Sequence, residues 1–249
     1  MKQFLFYIVI LLANIIQGIT GFAGTILAMP FSVRLVGMET AVPVLNALGL
    51  LSGVYVLAGS YKDLNRKELL RVLAFMGPAL LAGVWIKSLL ASSPGLLYTI
   101  LGVLVLLIAI RGIVSTLPVK SAETGEKQPS RGNAMLQTLL LAASGLIHGM
   151  FVCGGPLLIA YLARRLDKKE EFRATISAVW IFLNGILLMI QIFQGQWNAE
   201  LLKVQLISIP FLLCGMFIGS VLYRHMSQRV FMIITYILLL IAAVTLFFK

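Results

Sequence analysis

The sequence predicts an all-α polytopic membrane protein made of two inverted repeats, each with a glycine-broken, re-entrant opening segment plus three transmembrane helices. Three observations carry this. The chain has 249 residues, 60% hydrophobic and 12% charged, with mean hydropathy +0.99, whereas a soluble domain averages about 25% charged residues. Uncharged runs recur at roughly 20 residues, enough for a helix to cross about 30 Å of hydrocarbon. Finally, Glu68-Leu69-Leu70-Arg71-Val72 returns 132 positions later as Glu200-Leu201-Leu202-Lys203-Val204, and the same offset carries Pro78 onto Pro210 and Gly83 onto Gly215. A chain that repeats its own landmarks has two halves.

Backbone polar groups left unpaired in lipid are costly, so the apolar runs are read as helices. Repeat 1 is expected over 1–114, with an opening segment 3–33 and helices near 40–61, 68–90 and 92–112. Repeat 2 is expected over 133–249, with an opening segment 133–163 and helices near 172–196, 202–223 and 228–248. The 115–132 stretch joins them, and its Pro118, Pro129, Ser121, Ser130, Gly125 and mixed charges mark a flexible cytoplasmic linker. The N-terminal apolar run outlasts a signal-peptide core without a convincing cleavage site, so it is expected to be retained.

Both opening segments have an awkward length. There are 31 uncharged residues between Lys2 and Arg34, and 32 between Arg131 and Arg164. A straight helix of that size is roughly 46 Å long, too much for one crossing and too little for two. Glycines sit in the middle of each: Gly18, Gly21 and Gly24, then Gly145, Gly149, Gly154 and Gly155. A helix broken at the midplane and a re-entrant hairpin both fit. Charge favours the hairpin. Eight single crossings divide the cationic residues eleven against nine, whereas two hairpins divide them fifteen against five, the asymmetry expected of a cytoplasmic side. Both termini then lie on the non-cytoplasmic side, and the second half is inverted relative to the first.

The formal charge of +11 sits mostly between the apolar runs, which implies contact with anionic membrane lipid and orientation. No soluble basic, aromatic-interleaved module is present, so nucleic acid is not an expected partner. Cys153 and Cys214 both fall within apolar segments, with neither a disulfide framework nor a metal-ligand spacing. No cofactor is implied.

The candidate substrate-binding residues cluster at the two glycine motifs. The first runs from Gln17 through Gly18, Thr20, Gly21, Phe22 and Gly24 to Pro30; the second runs from Gly145 through His148, Gly149, Gly154 and Gly155 to Pro156. A helix that restarts after such a turn has unpaired N–H groups and a positive dipole end. Two of these meeting near the midplane would suit a small anion. Close helix packing is the competing use of small residues in membranes. Asn46 and Asn184 each lie on the helix after an opening segment, where an amide serves as interhelical glue or as a site group. His148 reads either as a neutral imidazole bonded across helices or as an anion contact or proton acceptor. Gln17 and Thr20 flank the first turn and could donate to an anion. Cys153, Met150 and Phe22 read more as packing, although Phe22 stays in the candidate set.

All nine acidic residues fall in loops or at segment ends. Cation-coupled carriers commonly bury a carboxylate, and none is expected to be buried here. Any coupling would use His148, backbone carbonyls or the substrate's own protonation. An intramembrane Ser–His enzyme is a poor reading: Ser144 precedes His148 by one helical turn, but no carboxylate is available to orient the imidazole.

At Gly18, Gly21, Phe22, Gly24 and Pro30, and again at Gly145, Gly149, Gly154, Gly155, Pro156 and Tyr161, the chain resembles the sulfite exporter TauE/SafE family, also called the toluene-sulfonate uptake permeases. The Phe172-Arg173-Ala174-Thr175 run leading to Asn184 is similar as well. Ala23, Thr25 and Val152-Cys153 depart from the family pattern. The resemblance implies a transporter, not an enzyme, that moves sulfur-containing oxyanions such as sulfite, sulfonates or sulfoacetate across a prokaryotic inner membrane. An anion channel of the same architecture and a non-transporting scaffold are the alternatives. Oligomeric state has no signature.

Overall fold

The computed structural model describes residues 2–90, 131–162, 165–166, 168–223 and scattered positions from 92 to 110. Among these the regular structure is helical. The first half contains α1 (Lys2–Thr20), α2 (Gly24–Val36), α3 (Met38–Ser60), a short 3-10 turn (Tyr61–Asp63) and α4 (Arg66–Leu89). The second contains α5 (Arg131–Phe151), α6 (Gly155–Leu162), α7 (Lys169–Phe193) and α8 (Ala199–Tyr223). The expected 228–248 helix, most of the 115–132 linker and part of the 92–112 helix lie outside the described residues. Arg131 and Gly132, expected in the linker, belong to α5.

Five helices are long and apolar enough to cross a membrane among the described residues: α1, α3 with its 3-10 extension, α4, α7 and α8. Their burial sorts them. Of each helix's most apolar stretch, 67% is buried in α3 and 50% in α7, against 28% in α4 and 33% in α8. So α3 and α7 pack face to face at the centre, while α4 and α8 turn Leu70, Leu81, Trp85, Leu206 and Phe217 outward, as suits a lipid-facing wall.

Both opening segments break and fold back. Residues 21–23 separate α1 from α2, and residues 152–154 separate α5 from α6. A Cβ on Gly24 would stand 2.7 Å from the carbonyl oxygen of Ala13 and 2.7 Å from Cβ of Gln17. In an unbroken helix, residues 13 and 24 would be about 16 Å apart. The chain therefore reverses as a hairpin. α2 also continues past Arg34 to Val36, beyond the expected end of the segment.

The opening helices pack across the halves, α1 on α8 and α5 on α4. Glycine makes these approaches close. A Cβ on Gly18 would lie 2.8 Å from the Met216 carbonyl oxygen, and one on Gly149 would strike that of Leu80; Gly219 meets Ile15 as Gly83 meets Leu146. Matching contacts recur 131 positions later on the opening helix (Gly18 to Gly149, Ile15 to Leu146) and 136 positions later on its partner (Leu80 to Met216, Gly83 to Gly219). The sequence repeat matches Gly83 with Gly215, but in space Gly83 corresponds to Gly219. Four residues is close to one helical turn, so the same face of the helix is presented one turn along. Asparagine caps start both partner helices: Asn65 accepts from the Glu68 N–H at 3.0 Å and Asn198 from the Leu201 N–H at 2.8 Å.

Candidate functional site between the two breaks

The first break is tied together by its own side chains. The Gly21 N–H donates to the Gln17 carbonyl at 2.6 Å, and the Gly24 N–H to Gln17 Oε1 at 2.7 Å. The Thr20 hydroxyl donates to the Ile16 carbonyl at 2.7 Å and accepts from the Ala23 N–H at 3.3 Å. These bonds correct two expectations. The N–H groups of Ala23 and Gly24 are already paired, and Gln17 and Thr20 use their oxygens to hold the turn. Gln17 Nε2 reaches on to Ser52 Oγ of α3 at 3.1 Å. Arg173 of α7 donates from Nη2 to the Gly18 carbonyl at 2.9 Å, meeting the negative end of α1 with a cation.

The second break uses different groups for the same purpose. The Val152 N–H donates to the His148 carbonyl at 2.8 Å, and the Ser144 hydroxyl donates to the Gly154 carbonyl at 2.6 Å. Ser144 thus holds the turn and is no nucleophile partner for His148. The His148 ring turns to α7, where Nε2 lies 2.8 Å from Asn184 Oδ1 and the ring stacks on Trp180 with centroids 5.1 Å apart. Because the Asn184 oxygen accepts, His148 Nε2 is the donor. Asn46 of α3 donates to the Asn184 backbone carbonyl at 3.1 Å and to Gln191 Oε1 at 3.2 Å. Both asparagines join the central helices, and Asn184 also orients the histidine.

A cavity lies between these two networks. The first half lines it with Gln17, Phe22, Thr25, Ile26 and Gly49, the second with His148, Val152, Gly155, Trp180 and Asn184. Its open space is that of about one water molecule. Among the described residues, no lysine, arginine or carboxylate side chain lines it.

Of the candidates from sequence, Gln17, Phe22, His148, Gly155 and Asn184 line the cavity. Gly21 and Gly154 lie within the breaks, Thr20 and Gly24 border the first, and Asn46 is bonded to Asn184. Gly18 and Gly149 lie elsewhere, on the packed seams with α8 and α4. Trp180, Thr25, Ser52 and Gln191 were missed because single polar or aromatic residues in apolar runs carry no spacing signal. Val152 stands out in the sequence only as a departure from the glycine pattern.

One expectation fails outright: a carboxylate is buried. Glu68 is 6% exposed. Its carboxylate accepts from the Tyr161 hydroxyl at 2.8 Å, from Arg165 at 3.3 Å and from Arg71 at 3.5 Å. Glu68 is at a segment end, as expected, but the end of α6 folds over it, and two guanidinium groups with a phenol offset the loss of water.

The described residues form helices, five of them long and apolar enough to cross a membrane, around a two-sided cavity between the two broken segments. Residues 6–246 match the sulfite exporter TauE/SafE family, so the chain belongs to that family, one of membrane transporters and not of enzymes. The chain is also 33% identical over 82 residues to a probable inner membrane transporter protein, TsaS, of Comamonas testosteroni. That alignment covers 32% of this chain and 34% of the relative. No solved structure matches it with significance.

Proposed function

We propose that the protein is a secondary transporter of small sulfur-containing oxyanions, such as sulfite, sulfonates or sulfoacetate, across a prokaryotic inner membrane. It works by alternating access around the cavity between the two breaks. The observation that carries this reading is the shared lining, with each half contributing five of the described residues to one cavity. The family's name and the relative's name supply the substrate class and the membrane. Reciprocal packing of α1 on α8 and α5 on α4 supports two inverted repeats that rock against each other, and the charge asymmetry of the loops supports both termini on the non-cytoplasmic side. Space for about one water fits an occluded state, which a carrier passes through and an open channel does not.

The test is flux into liposomes containing the purified protein, with sulfite, a sulfonate and chloride compared. Saturable movement of a sulfur oxyanion, faster than chloride, is expected. Absence of saturable flux for every anion would end the proposal.

A further inference from the structure

Among the described residues, two polar atoms at the cavity have no partner. Trp180 Nε1 and His148 Nδ1 are buried and make no hydrogen bond, although both side chains line the cavity and their rings stack. Trp180 is 5% exposed and His148 2%. Indole Nε1 is a donor only. Because His148 Nε2 donates to Asn184 Oδ1, Nδ1 of the neutral ring is a bare acceptor. The pair therefore presents one donor and one acceptor, each costly to leave unmet away from water. Among the described residues, the lining also has no lysine or arginine to balance a doubly charged ligand.

We propose that the cavity selects a singly charged oxyanion that still carries an O–H, of the hydrogensulfite kind, with Trp180 donating to an oxygen and His148 Nδ1 accepting the ligand's proton. This rests on reading the cavity as the transport site. On binding, the proton stays on oxygen or passes to Nδ1; in the second case the O–H bond breaks, an N–H bond forms, the electron pair remains on oxygen, and release reverses the step. Either way one proton moves with each anion. A fully ionised sulfonate offers acceptors only and leaves Nδ1 unmet.

Among the described residues, His148 is the one titratable side chain in the lining. Charged side chains on the described elements around it are Arg66, Lys67, Glu68, Arg71 and Lys87 of α4, Arg34 of α2, Glu39 of α3, and Glu170, Glu171 and Arg173 of α7, all outside the lining. Cys153 sits in the break beside it, and Tyr161 of α6 is bonded to Glu68.

The experiment loads liposomes with a pH-sensitive dye and imposes sulfite or methanesulfonate gradients between about pH 6 and pH 8, subtracting protein-free vesicles. About one proton released inside per sulfite is expected near pH 8, falling toward none near pH 6, where hydrogensulfite keeps its proton, with methanesulfonate slower by about tenfold or more. His148→Gln, whose amide can donate, should narrow the sulfite-to-methanesulfonate ratio by about tenfold. Trp180→Phe should raise the sulfite KM and leave that ratio unchanged, a readout that stands even where the His148 variant fails to fold. Sulfite flux without proton release near pH 8, or methanesulfonate carried as fast as sulfite, overturns the inference while leaving the transport reading in place. If neither anion moves, the transport reading falls and takes this inference with it.

Discussion

Gly21 and Val152, 131 positions apart, hold the same left-handed backbone, with φ of +81° and +57°. Each is the first residue after its opening helix, so the two hairpins turn by one device. Glycine adopts this conformation freely. A β-branched residue does not, at a cost of about 1–3 kcal/mol, which the burial of Val152 at 3% exposure and its N–H bond to His148 help to offset.

Gly37 also has positive φ, +80°, but a methyl added there would meet nothing within 4 Å, whereas one on Gly21 would meet Arg173 Cγ at 3.1 Å. Alanine at either position should therefore cost about 1–3 kcal/mol in backbone strain. Only Gly21→Ala should also disturb the guanidinium at Gly18. Thermal melts in detergent should show similar losses, while flux should fall for Gly21→Ala alone.

The packed seams predict a second contrast. Gly149→Ala sets a methyl against the Leu80 carbonyl, while Gly77→Ala meets nothing within 4 Å. Overpacking of this kind costs about 1–3 kcal/mol, so the melting temperature should drop for Gly149→Ala and stay level for Gly77→Ala. Equal melting temperatures would contradict the close approach of α5 to α4.

The His148–Asn184 bond predicts coupling. Removing either side chain should destabilise by about 1–3 kcal/mol through the stranded partner, and the double variant should cost less than the sum by about 1 kcal/mol. Additive effects in a double-mutant cycle would mean the bond is not formed. Asn184→Ala should spare the contact from Asn46, which uses the backbone carbonyl.

Glu68 fastens α4 to the end of α6. Glu68→Ala strands the Tyr161 hydroxyl and leaves Arg165 and Arg71 without their carboxylate, for a loss of about 1–3 kcal/mol. Tyr161→Phe should lose less, because it removes a single donor to a charged group that keeps its two cations. Unfolding by chemical denaturant measures both.

The sequence disclosed the helices through apolar runs and the breaks through glycines in segments of awkward length. It disclosed Asn46, His148 and Asn184 because polar side chains stand out in such runs. It could not disclose which glycines turn and which pack: Gly18 and Gly21 are three residues apart, and only the backbone angle and the neighbouring helix separate their roles. Nor could it show that Gln17 and Thr20 cap the turn, since that depends on the chain folding back on itself. The burial of Glu68 was hidden because a segment end suggests exposure, yet the far end of a hairpin's returning arm, 93 residues away, covers it. The one-turn slip between Gly215 and Gly219 likewise has no mark in the repeat, because loops absorb it.

The most direct test of a shared site between the breaks is a density map of the protein equilibrated with sulfite at a concentration that saturates flux. The account predicts ligand density bounded by Gln17 and Phe22 on one side and by His148, Trp180 and Asn184 on the other. An empty cavity under those conditions, or sulfite bound away from both breaks, would contradict it.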